Sequence, residues 1–325
     1  METKRLGWWT RDPYTNGDGE IVVVKRPTKD DFEKFKVLAR YRFLSAPYLA
    51  ALAGCNAKAI HHRFNVLKRE PNKWVRIAEE QTEDVRGHFL NTKFYELDSR
   101  AVAYLSERGI NVPSRKIVRQ FEHQVVTDQI MASFEIGVHA DPSLRMISWE
   151  SILNSPKMPA ETRDEGEPHV IEVEYTVKAG KQSERVKKRI RKDAKPFIVV
   201  RSEGGNEKRH FFSGIETDLG HEPVESYDYE RSAINNKFMA ELAALDQGLY
   251  RAKWGIPNPY TAFYTASRRR LDSFKRCLER LTNGKGSQHI LFKLHPTLHS
   301  HDKPRPTGHM ITEPFERVGY PDLQL

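Results

Sequence analysis

Asp193, Glu216 and Asp218 are the residues whose types and spacing suit chemistry best, with Lys237 downstream of them. The run His210-Phe211-Phe212-Ser213-Gly214-Ile215-Glu216 predicts a strand that continues to Asp218. Side chains alternate along a strand, so Phe212, Gly214, Glu216 and Asp218 are expected on one face and Phe211, Ser213 and Ile215 on the other. Asp193 lies just before the partner strand Phe197-Ile198-Val199-Val200, and a hairpin around Glu203-Gly204-Gly205-Asn206 carries it to the edge where Glu216 ends. Three converging carboxylates supply the oxygen ligands that Mg2+ or Mn2+ prefers, and such an ion activates water for attack on phosphate. Lys237 flanks the apolar face of a helix expected from about Glu230 to Gly248, where it would orient that water or neutralise developing charge. The plainer alternatives are a solvated strand end for Glu216 and Asp218 and a solvent-facing helix lysine for Lys237.

A second chemistry is carried by a basic helix. Asn56 caps a helix from Ala57 to about Arg69 in which Ile60, Phe64 and Leu67 recur at i, i+4 and i+7, while Lys58, His61, His62, Arg63, Asn65, Lys68 and Arg69 occupy much of the remaining surface. Lysine and arginine there bind phosphate or guanine, and Asn65 with His61 or His62 hydrogen-bonds base edges. The elements that must position this helix precede and follow it. Thr28 caps a helix holding Phe32, Phe35, Val37, Leu38 and Phe43, with Asp30, Asp31 and Glu33 at its positive end. Ser45-Ala46-Pro47 then caps a short helix that Gly54 ends. Strands at Trp74 to Ala78 and His88 to Leu97 follow, joined by a link containing Arg86-Gly87. Helix, short helix, tight turn, basic helix and hairpin is the order of a winged helix-turn-helix, with Arg86 and Lys93 on the wing against duplex phosphates.

The rest of the chain alternates helix and strand. A helix from Arg115 to about His139, strands near Arg145 to Trp149 and Val170 to Val177, the hairpin above, a strand at Tyr260 to Thr265, a helix at Ser267 to Leu281 and a strand at His289 to Leu294 predict an α/β (α+β) second domain with a mixed sheet. The expected division is an arm or lone hairpin over 1–27, a DNA-binding domain over 28–112, the α/β domain over 113–295 and a mobile extension over 296–325 with His299, His301 and His309. Residues 181–195 hold eight Lys or Arg against two acids, a run that suits either a phosphate track or a solvated loop. Arg268-Arg269-Arg270 opens a helix where positive charge opposes the dipole, so an anionic partner would relieve a local cost.

Composition narrows the classes. The chain has 325 residues and a formal charge of +9, from 53 Lys+Arg against 44 Asp+Glu. Such a balance suits a partner that is nucleic acid or another anionic surface. No apolar run approaches a membrane span, and the N-terminal Met1 to Trp9 has no apolar core of a secretory signal, so a cytoplasmic protein without membrane attachment is expected. Cys55 and Cys277 stand alone, which excludes a disulfide scaffold and a zinc site.

The order of a winged helix, a long helix with Phe121-Glu122-His123 and Asp128, the strand ending Ile215-Glu216-Thr217-Asp218-Leu219-Gly220, and the helix with Arg231-Ser232-Ala233-Ile234 and Lys237 resembles the plasmid replication-relaxation family over roughly residues 30 to 295. The resemblance implies a plasmid or mobile-element protein that binds double-stranded DNA and takes part in replication, transfer or its regulation. It also implies a second domain similar to the PD-(D/E)xK nuclease core, with Asp193 in place of the aspartate of the first element and Glu216 in place of the acid of the second. Lys192 stands where that core has proline, and Asp218 where it has lysine. Two readings follow. Either Asp193, Glu216 and Asp218 hold a metal and Lys237 aids a metal-dependent endonuclease or nickase, or the second domain cuts nothing and serves DNA clamping or homodimerisation. A third, an interaction protein with an acidic partner, predicts no sequence preference on DNA.

Overall fold

Local signals start the first helices. In the computed structural model, which describes residues 14–15, 19, 21–22, 26–79, 92–112, 121–179, 182–295 and 306–325, Thr28 and Asp31 form a reciprocal capping box at α1 (Lys29–Arg40). Pro47 sits in the first turn of α2 (Ala46–Ala53), and Gly54 ends it at φ 63°. The Asn56 side chain accepts from the Lys58 N–H at 2.7 Å and opens α3 (Ala57–Leu67), whose Ile60, Phe64 and Leu67 are buried. Ser45 behaves differently from its expected role as a cap. It holds the N-cap position of α2 but makes no side-chain cap bond, and Leu44–Ser45 is strand β3, which pairs with Tyr95 and Phe94. Here β1 is Tyr14–Thr15, β2 is Ile21–Val22, β4 is Val75–Ile77 and β5 is Phe94–Leu97. β1 and β2 pair antiparallel, and the other three form an antiparallel sheet ordered β3-β5-β4.

The chain divides into two compact units, Met1–Ala132 with Ser300–Pro306, and Ser133–His299 with Thr307–Leu325. In the first, Phe35, Phe43, Tyr48, Phe64, Trp74, Phe94 and Tyr95 are fully buried, and α4 (Ser99–Ser106) adds Ala101 and Leu105 while Val102 is half-buried. Helix α5 (Phe121–Ala140) belongs by its first part to this unit and by its last turns to the other.

Within the first unit the buried Asp128 accepts from the Phe43 N–H at 2.8 Å and from the Gln124 amide at 2.9 Å. Burial pushes its carboxyl up to about 7, against the opposing pull of those donors and of the Arg42 guanidinium. A carboxyl raised above its unfolded value of 3.8 stabilises the fold fully below that value, and the contribution is lost as pH rises through about 7. Urea melts at about pH 5 and about pH 8 should therefore show a wild-type loss of order 3 kcal/mol that Asp128→Asn largely removes. Equal losses in both proteins would refute this assignment.

The second unit is built on a six-stranded mixed sheet ordered β13 (Glu316–Val318), β12 (Ser287–Leu294), β11 (Tyr260–Thr265), β10 (Asn206–Asp218), β9 (Phe197–Glu203) and β6 (Leu144–Ile147). Strands β6, β9 and β10 run antiparallel in turn. β11 then lies parallel to β10, and β12 parallel to β11. The crossovers are α8 (Ile234–Asp246) with α9 (Leu249–Trp254), and α10 (Arg268–Leu281). Ile234, Phe238, Leu271 and Phe274 from these helices pack on Phe263 and Phe292 of the sheet. Phe134 of α5 packs on Phe197 and Phe212.

Between β6 and β9 come α6 (Trp149–Leu153), α7 (Ala160–Arg163) and a hairpin of β7 (Ile171–Ala179) with β8 (Gln182–Ile190). The basic run is therefore largely a strand. Val186 and Ile190 are buried, while Arg185, Lys187 and Arg189 pair with Glu174, Glu172 and Glu167.

The tail also departs from expectation in its described part, 306–325. It forms α11 (His309–Thr312) and the edge strand β13 (Glu316–Val318), and it buries Met310, Ile311, Phe315, Leu323 and Leu325. The buried Lys293 donates to the carbonyls of His309 at 2.6 Å and Glu313 at 2.5 Å. Gly308 lies so close to Gly137 that a Cβ on it would stand 2.6 Å from the Gly137 Cα. Apolar burial and these contacts supply the ordering that a Pro- and His-rich composition conceals.

Candidate functional site

The exposed face of α3 divides its predicted contact residues in two. Lys58, His62 and Arg69 are exposed, as is Lys93 just before β5, and Asn65 and Lys68 are half-buried. Lys68 is held below the ordinary lysine range by burial and then by repulsion from Lys93 and Arg69. Three cations thus meet at the end of α3. Like charges crowded in this way store a cost that a bound anion relieves.

Arg63 and His61 are engaged internally. The Arg63 Nε donates to both oxygens of Asp31, at 2.9 and 3.1 Å, and Asp31 is 1% exposed. Burial pushes the Asp31 carboxyl up, but the bonds from Arg63 and Thr28 outweigh it and the net shift is downward. His61 Nδ1 lies 3.0 Å from the Tyr95 hydroxyl. These two side chains fasten α3 to α1 and β5. Arg86 lies outside the described residues.

In the second unit the strand face differs from strict alternation. The β10–β11 register shifts between Phe212 and Gly214, and Gly214 adopts φ 133° where a Cβ would stand 2.4 Å from the Ala194 carbonyl. This bulge reverses the alternation. Phe211 packs against the apolar cluster that holds Tyr250 and Trp254, and Ser213 bonds Thr261, on the side of α8 and α9; Glu216 and Asp218 join them there. Phe212, expected beside Glu216, packs instead with Phe134 and Phe315.

Glu216, buried, has an oxygen 2.9 Å from Lys237 Nζ and the other 3.5 Å from Lys192 Nζ. Lys237 reaches Glu222 at 2.9 Å, and Lys192 reaches Glu241 at 2.6 Å. The remaining oxygen of Glu241, which is fully buried, accepts from the Tyr250 hydroxyl and the Thr261 hydroxyl, each at 2.6 Å. Burial pushes the Glu216 carboxyl up, but Lys237 and Lys192 outweigh it and hold it low. Burial likewise pushes Lys237 down, and Glu216, Glu222 and Asp193 more than reverse it.

Asp193 is brought to this edge as expected from the hairpin. Its N–H donates to the Ile215 carbonyl at 3.0 Å and its carboxylate accepts from the Thr217 N–H at 2.6 Å. Asp218 is not available to the same centre. Arg270 donates to its two oxygens, at 2.5 and 2.7 Å, and Thr265 donates at 3.1 Å. The anionic partner that the Arg268-Arg269-Arg270 helix start requires is thus internal, with Arg268 paired to Glu316 at 2.7 Å.

Among the described residues no group of three or more His, Cys, Asp or Glu side chains is arranged to hold a metal. Asp193 and Glu216 thus come to one edge, where two ammoniums approach Glu216, while Asp218 is bound by a guanidinium. Lys192, Glu222 and Glu241 are part of the cluster although strand alternation singled out none of them. Glu241 follows Lys237 by four residues, one helical turn, and that spacing was its legible signal. Glu222 carries no comparable signal.

Among the described residues no helix is long and apolar enough to cross a membrane. Comparison of the chain with family models, with curated proteins and with solved structures finds no match.

Proposed function

We propose that this chain is a cytoplasmic double-stranded DNA-binding protein of the replication-relaxation type, acting in plasmid or mobile-element replication, transfer or its regulation. The observation that carries the reading is the cation cluster of Lys68, Arg69 and Lys93 at the end of α3, with Lys58, His62 and Asn65 along the same helix. The order α1-β3-α2-α3-β4-β5 with a β3-β5-β4 sheet supports a winged-helix reading, in which α3 would be the reading helix and the hairpin the wing. Lysines and arginines there gain affinity by releasing counterions from duplex DNA.

For the second unit, the order α5-β6-β9-β10-α8-β11, with the first three strands antiparallel and β11 parallel to β10, fits a PD-(D/E)xK-like core. The competing reading, a metal-dependent endonuclease using Asp193, Glu216 and Asp218, is favoured by the Asp193 contact with Thr217, which brings that acid to the end of the Glu216 strand. It is disfavoured by the lysines on Glu216 and the arginine on Asp218, and we take the unit as one that binds without cutting.

The test is fluorescence anisotropy of labelled duplex over a salt series, beside supercoiled plasmid incubated with the protein in Mg2+, Mn2+ or EDTA. Binding that falls steeply with salt, with plasmid left supercoiled, is the expected result. Absence of binding at about 50 mM salt would defeat the DNA-binding reading, since electrostatic affinity is greatest there. Metal-dependent nicking abolished by Glu216→Gln would replace the non-cutting reading by the endonuclease.

A further inference from the structure

The residues of the nuclease-like edge do not fit a divalent ion, and the cause is a specific side chain. We propose that Lys237 is the resident cation of this site: its ammonium fills the space between Glu216 and Glu222, beside Asp193, and thereby excludes Mg2+ and Mn2+ from it. The inference rests on the nuclease-like reading of the second unit and is independent of DNA binding by α3.

Three observations support it. The ammonium stands 2.9 Å from an oxygen of each glutamate, a distance proper to N–H···O pairing, whereas Mg2+ draws its oxygens to about 2.1 Å and Ca2+-like ions to about 2.4 Å. The carboxylates are thus spaced around an ammonium. Second, Asp193, Glu216 and Glu222 all act on Lys237, and their combined field more than offsets its burial, so the charge is retained where it lies. Third, the second oxygen of Glu216 is already approached by Lys192, which is itself anchored by Glu241. A metal entering here would have to displace one ammonium and sit beside another.

As they stand these carboxylates are not arranged as a ligand set, but their oxygens are of the kind a divalent ion takes. With the Lys237 ammonium removed, Glu216 and Glu222 each lose the cation that stands 2.9 Å from one of their oxygens, and hard cations bind to such oxygen groups. Truncating the lysine should therefore create metal affinity where the natural chain has none, which is the opposite of what a lysine assisting a bound metal would do.

The experiment is Mn2+ titration of the full chain followed by electron paramagnetic resonance, without DNA, on the natural protein and on Lys237→Ala, with circular dichroism melts to verify folding. The expected result is an affinity for one Mn2+ at least tenfold higher in Lys237→Ala than in the natural protein, lost again when Glu216→Gln is added. Lys237→Gln, which keeps the length of the side chain and removes its charge, serves if the alanine variant does not fold, and the same gain is expected from it. Two results would overturn the proposal: natural protein that binds one Mn2+ as tightly as the variant and loses it in Glu216→Gln, or folded Lys237 variants that gain no Mn2+ affinity. Neither readout involves DNA, so failure here leaves the α3 reading untouched, and loss of DNA binding leaves this inference untouched.

Discussion

Replacing Lys68 and Arg69 together by alanine should weaken duplex-DNA binding by about 100-fold at about 0.1 M salt and lower the slope of log affinity against log salt by about 2. The reasoning is electrostatic. Lys68 is held low by burial and by repulsion from Lys93 and Arg69, so the free protein carries a local cost that phosphates remove on binding. Lys68 caps the C-terminal end of α3, and Arg69 is exposed beyond it, so their loss costs the fold only the few tenths of a kcal/mol that a cation contributes at a helix C-terminus. Arg63→Ala is the contrasting control. Its guanidinium is bound to the buried Asp31, so that variant should lose thermal stability while the salt slope of the remaining folded protein stays unchanged. An unchanged slope in the Lys68/Arg69 double variant would remove α3 as the DNA-facing element.

The second large effect is expected at Glu241. Its carboxylate is fully buried and receives Lys192, Tyr250 and Thr261 at once. Glu241→Ala removes the acceptor of the Tyr250 and Thr261 hydroxyls, the latter keeping its contact with Ser213 at 2.6 Å, and leaves an almost fully buried ammonium with Glu216 at 3.5 Å, a loss of about 3 to 5 kcal/mol for a broken buried pair. Calorimetry should show this as a fall of roughly 10 °C in the transition of the second unit. Lys192→Met combined with Glu241→Gln should be less destabilising than the sum of the two single changes, with a coupling of about 1 to 3 kcal/mol, because each single variant strands a partner that the double variant does not contain. Additivity within about 0.5 kcal/mol would show that the two groups do not depend on each other.

Helix starts and stops were legible because each is decided by atoms a few residues apart. Thr28 with Asp31, Asn56 with Lys58, and Gly54 at positive φ are interactions of sequence neighbours, and they place α1, α2 and α3 correctly. The hairpin of β9 and β10, the crossover helices and the approach of Asp193 to the Glu216 edge were legible for a similar reason, since apolar runs bounded by Gly204-Gly205 leave few alternative pairings. The basic run misled because its apolar residues, Val186 and Ile190, are sparse enough for charge to mask a strand.

By itself, then, the amino-acid sequence determined the order of elements, the amphipathic basic helix and the acids at one end of β10. Only the tertiary structure decided which charges are free and which are satisfied. Arg63 meets Asp31 from 32 residues away, Lys192 meets Glu241 from 49, and Arg270 meets Asp218 from 52. A charged side chain carries no mark of its partner at such separations, because the pairing is set by how helices and strands pack and not by local spacing. The same holds for the bulge at Gly214, where a Cβ would stand 2.4 Å from the Ala194 carbonyl so that only glycine fits, and which turns Glu216 toward Lys237.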